Sequence, residues 1–442
     1  MLQASRYLTF GRLDVMTEEG RRLRPVFLST SARTFLLDSD VALALQEGRL
    51  SAIATTAVQE LSAAGLVVAD NEDELAGVLR ASKDAIQANR TRYLVLMPTA
   101  WCNMGCEYCG QEHSTDRDTT WPQLVMARAV ASLDSPEIDQ LSVGWFGGEP
   151  MVAYPRIRAF SQALIPAAEA RGKEYSAQMT TNGSLLSHDK VRVLHLECRV
   201  NAIEITIDGP KSYHDVSRFL KNGGQSFDRI VHTLQQVLAD SQLDSLELSV
   251  RSNVSRHNSH LAGQFAQEMT DAGFTDTRVL FYPAVVHEWG NDVSDFQMTL
   301  MKYAEVELEW LRQLSVHGLS LPLIPTETKP IVCLAVDVRG EVIDPAGNIF
   351  SCTEEPLIKG ALSRRIGQLS QVAEGDRRPR GAYDDWLDSV SNGETGCREC
   401  RILPICGGAC PKAWRSGNPP CPALKLNLTD RLDLYAQAYS RA

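Results

Sequence analysis

Short apolar runs alternate with amphipathic stretches along the central half of the chain. Six runs have the composition of buried strands, and they lie at Tyr93–Pro98, Leu141–Phe146, Ser176–Thr181, Ala202–Asp208, Leu246–Asn253 and Arg278–Pro283. Helical apolar spacing fills the gaps, most clearly at Ile157–Arg171, Phe227–Asp240 and Leu261–Ala272. Six strand-then-helix units predict a parallel sheet, and six is fewer than the eight of a closed barrel. We therefore expect an α/β fold, a partial (β/α)6 TIM barrel over residues 93–310, with its site at the C-terminal ends of the strands.

The first 88 residues have a different pattern. Two short strands flank a Ser-rich turn within Arg24–Asp38, and two helices and a strand follow at Asp40–Gln46, Ala52–Ala64 and Leu66–Ala69. Gly65 is placed to end the second helix. A β-ribbon beside short helices predicts a winged helix-turn-helix-like domain over residues 1–88, joined to the barrel by a polar, helical linker.

After about residue 310 the periodic signal fades, and Gly, Pro and Cys become frequent. A loop-rich segment such as 311–442 buries little apolar surface by itself. Segments of this kind are usually held together by metal or disulfide bonds.

Composition and charge narrow the class of protein. Of the 442 residues, 44% are hydrophobic and 22% are charged, which excludes a disordered or fibrous protein. No apolar run approaches the roughly 18 residues that span a bilayer, and Met1–Arg12 lacks the features of a signal peptide. We therefore expect a cytoplasmic chain with no membrane partner. The net charge of −11 argues against a nucleic-acid partner, because phosphate contacts need clustered cations.

Eleven cysteines carry the candidate chemistry. Cys102, Cys106 and Cys109 have the spacing C-x3-C-x2-C directly after the first predicted strand. Three thiolates on one loop can hold three irons of a [4Fe–4S] cubane and leave the fourth iron open to a small molecule. A zinc knuckle is the alternative, but it needs a fourth ligand, and none follows nearby.

This triplet, with the aromatic Tyr108 before its last cysteine, resembles the cluster motif of the radical SAM superfamily. The resemblance implies that the open iron chelates the amino and carboxylate groups of S-adenosylmethionine. One electron from the cluster then cleaves the sulfonium to methionine and a 5′-deoxyadenosyl radical.

Further resemblances follow the later strands. The segment 145–150 resembles the family's GGE motif, whose backbone and glutamate hold the methionine amino group. Arg218 is a candidate partner for the methionine carboxylate, since a guanidinium can grip it bidentately, although a barrel-rim salt bridge is the alternative. The cosubstrate-binding set implied in this way is Tyr108, Gly147, Gly148, Glu149, Thr181, Asn182, Thr206, Asp208, Arg218 and Arg251, with Asn253 beside it.

The seven C-terminal cysteines resemble the SPASM domain, whose pattern of spacings they match in full. The resemblance implies two auxiliary [4Fe–4S] clusters, which makes three in the chain. The distal cluster would be held by Cys397, Cys400, Cys406 and Cys421, and three irons of the nearer one by Cys333, Cys352 and Cys410. The fourth ligand of the nearer cluster stays open, because Glu327 stands where some members have another cysteine. Cys198 fits neither pattern and is expected to be a core residue.

SPASM proteins mainly modify peptides, and two enzymatic functions fit the sequence. Sulfatase-maturating enzymes carry an aspartate, as a general base, directly after the cysteine that corresponds to Cys352, whereas this chain has Thr353. The N-terminal pattern resembles instead the winged-helix element that captures a leader peptide as an added strand in maturases of ribosomally made, post-translationally modified peptides. We therefore expect a peptide maturase that forms a carbon–carbon or thioether crosslink, with formylglycine generation as the alternative.

Two other roles of the N-terminal zone are open. The first is that of a DNA-binding domain in an iron–sulfur regulator. Residues 1–90 contain ten Lys and Arg and twelve Asp and Glu, and this net charge of −2 argues against DNA binding. The second is that of a structural brace for the barrel.

The expected partners are a precursor peptide with its leader and a low-potential electron donor such as flavodoxin or ferredoxin. The catalytic base is not identified, but Glu354, Glu355 and Asp337 are candidates because they lie near the cysteines of the nearer cluster in sequence.

Overall fold

The computed structural model of the chain describes residues 1–115, 120–275, 278–372 and 375–439. The strands are β1 (Leu2–Ala4), β2 (Leu8–Phe10), β3 (Val15–Met16), β4 (Arg22–Leu28), β5 (Arg33–Asp38), β6 (Val67–Ala69), β7 (Thr91–Leu96), β8 (Gln140–Trp145), β9 (Glu174–Thr181), β10 (Val200–Thr206), β11 (Glu247–Val254), β12 (Val279–Val285), β13 (Gly340–Ile343), β14 (Asn348–Phe350) and β15 (Gly367–Gln368). The α-helices are α1 (Ser39–Gln46), α2 (Thr55–Ala63), α3 (Glu74–Ala88), α4 (Trp121–Leu133), α5 (Tyr154–Glu169), α6 (His188–Arg192), α7 (Lys211–Ser217), α8 (Phe227–Leu238), α9 (Ala262–Asp271), α10 (Leu300–Val316), α11 (Trp386–Ser391), α12 (Leu403–Cys406), α13 (Pro411–Arg415) and α14 (Leu424–Tyr439).

The six predicted barrel strands are confirmed as β7 to β12. They pair in parallel and in chain order, so that each strand lies beside the next one along the chain. The helices that link them pack their apolar stripes onto the sheet, and the resulting core contains Trp121, Trp145 and Trp310. Within the described residues β11 is the only strand that pairs with β12, and a single bridge joins Leu280 of β12 to Ser320, so the sheet is open at that edge, which is consistent with a partial barrel.

The other edge of the barrel sheet carries an addition that the sequence pattern did not predict. β13 pairs in parallel with β7, and β14 and β15 follow it antiparallel. β13 has only four residues and buries Glu341 among apolar neighbours, so neither apolar alternation nor length marks it as a strand. Helix α10 also crosses residue 310, where the end of the barrel was expected, so the loop-rich segment begins after Val316.

The predicted hairpin of the N-terminal zone is present as β4 and β5. β4 is central, with β2 and β3 along one side and β5 along the other. β5 is therefore an edge strand, a point that the sequence left open. Gly65 ends α2 as expected, with a φ of +79° that favours glycine.

The N-terminal zone shares its core with the C-terminal segment. Tyr7 and Leu45 lie in the same apolar cluster as Tyr383 and Trp386. Arg12 adds an ion pair to Asp433 on α14, at 2.8 Å. The zone is thus packed against the cysteine-rich segment, a contact that the sequence did not predict.

Among the described residues, no helix combines the length and the apolar character needed to cross a bilayer.

Candidate active site

One cavity of about 290 Å³ opens at the C-terminal ends of the barrel strands. Each of the strands β7 to β12 contributes to its wall, either with its last residues or with the loop that follows. The predicted residues that line it are Cys102, Cys106, Tyr108, Cys109, Gly147, Gly148, Thr181, Asn182, Thr206, Arg218, Arg251 and Asn253. Glu149 and Asp208 are fully buried behind this wall.

The three-cysteine loop is fixed against the segment after α7. The backbone N–H of Gly105 donates to the carbonyl of Phe219 at 3.0 Å, and that of Glu107 donates to Ser217 at 3.1 Å. Burial raises the pKa of the Cys102 thiol, and it raises that of Cys106 to about 12. Burial therefore disfavours the free thiolate form of these two cysteines. A cationic iron centre would compensate for this, because its positive charge favours the thiolate and displaces the thiol proton.

No group of three His, Cys, Asp or Glu side chains within the described ranges has the geometry of a site for a single metal ion. Ligands of one zinc ion must converge to about 2.3 Å from a common centre. The three thiolates of a cubane bind three different irons and lie further apart.

The glycine pair after β8 allows two loops to pack closely. A Cβ on Gly148 would lie 2.5 Å from the carbonyl oxygen of Trp101, and one on Gly147 would lie 2.9 Å from that of Thr99. Gly147 also has a φ of +123°. We expected glycine here for close approach to a ligand, and the structure adds close approach to the backbone that leads into the cysteine loop.

Glu149 organises this part of the wall from behind. Its carboxylate accepts hydrogen bonds from the backbone N–H of Met151 at 2.9 Å, the hydroxyl of Thr181 at 2.7 Å and the backbone N–H of Asn182 at 2.7 Å. Burial raises the pKa of Glu149, although these hydrogen bonds oppose the shift. The amide of Asn182 then donates to Asn103 at 3.0 Å, which links β9 to the cysteine loop.

A polar network surrounds Arg218. Its guanidinium contacts the hydroxyl of Tyr108 and lies 3.6 Å from the carboxylate of Asp208. Asn253 donates to the same hydroxyl at 2.9 Å. The Nε atom of Arg218 is buried with no hydrogen-bond partner among the described residues. A buried donor without a partner suits an anionic ligand group, such as the carboxylate of an amino acid.

Sequence reasoning missed two residues of the segment after β12. His287 and Trp289 line the cavity, and Trp289 stacks on Phe146 with ring centroids 6.1 Å apart. Asn291 donates to the carbonyl of Tyr108 at 3.2 Å, which ties this segment to the cysteine loop. Their only signal in the sequence is their position directly after the sixth predicted strand.

The three candidates for the catalytic base lie in different places. Glu354 reaches the cavity, where His287 and Lys412 contact its carboxylate at 3.0 and 3.4 Å. Glu355 is buried and accepts a hydrogen bond from Tyr383 at 2.8 Å. Asp337 is buried and accepts the backbone N–H of Arg339 at 2.9 Å. Glu355 and Asp337 therefore do not line this cavity.

The C-terminal cysteines form two groups. Cys397, Cys400, Cys406 and Cys421 line one small cavity, which matches the set expected for the distal cluster. Burial is the main cause that raises the pKa of Cys333, Cys352 and Cys410, and the negative charge of Glu354 adds to it in all three. Of the three, Cys352 accepts a hydrogen bond from the backbone N–H of Glu354 at 3.5 Å, whereas Glu327 is exposed. Cys198 is buried in the barrel core, as expected.

The central part of the chain is similar to a known protein family. Residues 96–239 match the Radical SAM family, described as the Radical SAM superfamily. The Serine-type anaerobic sulfatase-maturating enzyme of Bacteroides thetaiotaomicron is 22% identical over 364 residues, which cover 72% of this chain and 82% of that protein.

Two solved structures extend the comparison. Native anSMEcpe with bound AdoMet and Cp18Cys peptide is 14% identical and superposes with a TM-score of 0.57 over 79% of this chain and 99% of that one. Streptococcus suis SuiB bound to precursor peptide SuiA is 14% identical and covers 96% of this chain and 99% of that one, with a TM-score of 0.46. Residues 96–239 thus form a radical SAM domain within the chain.

Proposed function

We propose that this protein is a maturase of ribosomally made peptides that crosslinks a precursor through radical chemistry. The observation that carries the proposal is the cavity itself. It brings together the three-cysteine loop, the glycine pair, Arg218 and, from the C-terminal segment, Glu354. A substrate side chain in this cavity would contact both the cosubstrate site and the segment that holds Cys352.

The cosubstrate would be held by groups on four strands. The backbone at Gly147 and Gly148 faces the methionine amino group, and Arg218 Nε is free to donate to the methionine carboxylate. A [4Fe–4S] cluster on Cys102, Cys106 and Cys109, with S-adenosylmethionine bound, supplies the 5′-deoxyadenosyl radical. The aromatic wall of Phe146 and Trp289 excludes water from the space in which that radical would act.

We assign three parts to the chain: residues 1–88 for leader recognition, residues 93–310 with the rest of α10 for the barrel, and the segment to residue 442 for two auxiliary clusters. The four cysteines that line one small cavity support the distal cluster, and the negative charge of Glu354, which adds to the raised pKa of Cys333, Cys352 and Cys410, is consistent with the nearer one. The two auxiliary clusters, if held there, would accept electrons released from the substrate. An external low-potential protein would reduce the first cluster.

The leader would add a strand beside β5. The backbone N–H of Gly11 donates to the carbonyl of Pro25 at 2.9 Å, so Pro25 directs its carbonyl away from β5. Leu36, the partner of Pro25 on β5, therefore directs its own N–H and C=O toward the outer edge. Thr34 lies two residues away and shares this orientation. These outward groups offer main-chain hydrogen bonds to an extended peptide.

Formylglycine generation is the second candidate. It is favoured by the similarity to the Bacteroides enzyme, which is named as a sulfatase-maturating protein. Against it stands Thr353, at the position where that class carries an aspartate. The two candidates differ in the peptide that they require.

The experiment that decides between them uses the enzyme reconstituted anaerobically with iron and sulfide. It is incubated with S-adenosylmethionine, a reductant and one of two peptides. The first is a leader-bearing precursor encoded beside the gene, and the second spans the maturation site of a sulfatase. Loss of two hydrogens from the precursor, with a crosslink in its fragmentation spectrum, supports the proposal. Conversion of the sulfatase peptide alone would contradict it.

A further inference from the structure

His287 brings an imidazole to the cavity for which the cosubstrate contacts give no role. Its Nε2 lies 3.0 Å from Oε1 of Glu354. Its side chain is 44% exposed, so a substrate in the cavity can reach the ring. Nδ1 has no hydrogen-bond partner in the part of the chain that the structure describes.

Glu354 is held in the position that this contact requires. Lys412 Nζ lies 3.4 Å from its Oε2 and donates to its backbone carbonyl at 3.1 Å. The indole N–H of Trp289 donates to the same carbonyl at 3.2 Å. A carboxylate can only accept, so the proton of the neutral imidazole lies on Nε2, and Nδ1 presents a lone pair.

The plane of the imidazole is fixed by stacking. Its ring lies 6.5 Å from that of Trp289 at an interplanar angle of 14°, and Trp289 stacks in turn on Phe146. Gly110, directly after Cys109, leaves room for this wall, because a Cβ there would lie 2.0 Å from the carbonyl oxygen of Trp289. The histidine, the indole and the cysteine loop are thus packed as one unit.

We propose that His287 is the general base of the peptide modification. The proposal rests on the proposed function, in the step that crosslinking and formylglycine formation share. Once a substrate carbon has lost a hydrogen atom, the substrate must lose one proton and one electron. The X–H bond of the reacting group breaks, and its electron pair forms the new bond to the radical carbon. The proton moves to Nδ1 of His287, and a cluster that Cys333, Cys352 and Cys410 would hold would supply the acceptor for the surplus electron.

Four charged side chains lie around this imidazole. Glu354 contacts Nε2, and Lys412 lies on the far side of Glu354. Arg251 lines the same cavity, and Glu288 adjoins His287 in sequence and is exposed. The contact with Glu354 leaves Nδ1 free to accept a proton, and the exposed side of the ring allows that proton to pass to solvent.

The test compares H287Q and E354Q with H257Q in the reconstituted holoenzyme. His257 is the matched control, because it packs edge-to-face against another aromatic ring, Phe296, with centroids 5.1 Å apart, and does not line the cavity. We expect the yield of modified peptide per 5′-deoxyadenosine to fall about 100-fold in H287Q, the usual effect of losing a general base. The acidic limb of the pH profile should disappear with it. Imidazole added to H287A should restore part of the yield, and H257Q should match the wild type.

A second measurement does not depend on turnover. Diethyl pyrocarbonate acylates neutral imidazole, and peptide mapping of the holoenzyme reports the modification of His287 as a function of pH. The midpoint should lie at lower pH in E354Q, because the lost carboxylate no longer favours the protonated ring. An unchanged midpoint would show that Glu354 does not act on His287.

The outcomes separate the two proposals. A wild-type enzyme that modifies neither peptide overturns the proposed function and the role of His287 together. A wild-type enzyme that modifies a peptide while H287Q keeps the full yield overturns only the role of His287. Loss of yield in H287A without rescue by imidazole would assign the residue a structural role and would also overturn the proposal.

Discussion

Replacing Glu341 with glutamine tests how the C-terminal segment is joined to the barrel. The carboxylate lies on β13 and contacts the guanidinium of Arg92 on β7. It also accepts from Nε and Nη2 of Arg128 on α4, at 2.6 and 2.8 Å. The side chains of Arg92 and Glu341 are 0% exposed and that of Arg128 is 3% exposed. Glu341→Gln keeps the shape of the side chain and removes the charge that both guanidiniums face.

Breaking a buried ion pair leaves an uncompensated charge, so E341Q should lower the free energy of unfolding by about 3–5 kcal/mol. With an unfolding entropy of about 2.1 cal/mol/K per residue, a 442-residue chain shifts by about 1 °C per kcal/mol, so Tm should fall by roughly 3–5 °C. Thermal unfolding of the reconstituted protein, followed by tryptophan fluorescence, measures this shift. The matched control is E305Q, which breaks a pair with Lys302 at 3.0 Å whose side chains are 68% and 61% exposed, and which should cost less than about 1 kcal/mol. A Tm for E341Q within about 2 °C of that of E305Q would refute the reasoning.

The stability difference between the wild type and E341Q should depend on pH. Burial alone would raise the pKa of Glu341, but Arg92 and Arg128 outweigh it and lower this pKa below its ordinary value of 4.5. Because the folded-state pKa is depressed, the stabilisation is present above pH 4.5 and is lost as the pH falls through the folded-state value. The difference in Tm between the wild type and E341Q should therefore narrow below that pH.

Three further predictions concern the site and the N-terminal zone. Gly148→Ala places a Cβ 2.5 Å from the carbonyl oxygen of Trp101, so the cysteine loop must shift. The rate of 5′-deoxyadenosine formation, measured by chromatography, should then fall about 100-fold. An unchanged rate would contradict the packing argument. Cys421→Ala should lower the bound iron by about four atoms per chain, while Cys198→Ala should leave the iron content unchanged. Equal iron contents of the two variants would contradict the assignment of the distal cluster. Leu36→Pro should weaken leader binding about tenfold by calorimetry, because it removes an outward N–H that Leu36→Ala keeps; equal affinity of the two variants would exclude β5 as the docking edge.

The barrel and much of its site could be predicted because they follow from local patterns. Strand composition placed β7 to β12, and parallel strands in chain order bring their C-terminal ends to one edge. Residues directly after those strands, such as Cys102 and Gly148, therefore had to meet. The edge strand of the N-terminal sheet could not be chosen, since β4 and β5 have similar composition and only pairing with β2 and β3 distinguishes them.

The features that were missed depend on distant pairings. Glu341 is a charged residue in a short strand, and only its contacts with Arg92 and Arg128 explain its burial. His287 meets Glu354 across 67 residues of chain, and no spacing signals that contact. Tyr7 and Trp386 lie in one apolar core, which the sequence did not predict. Deleting residues 1–88 would therefore expose apolar surface of the C-terminal segment, so a point substitution on β5 is the better test of leader recognition.

The most direct test of the central claim is the mass of 5′-deoxyadenosine formed with a perdeuterated precursor peptide. The reconstituted wild type should produce 5′-deoxyadenosine that carries deuterium, together with modified peptide. The variant with Cys102, Cys106 and Cys109 replaced by alanine should produce neither, because no iron remains to bind the cosubstrate. Unlabelled 5′-deoxyadenosine from the wild type, or continued cleavage by the triple variant, would contradict the account.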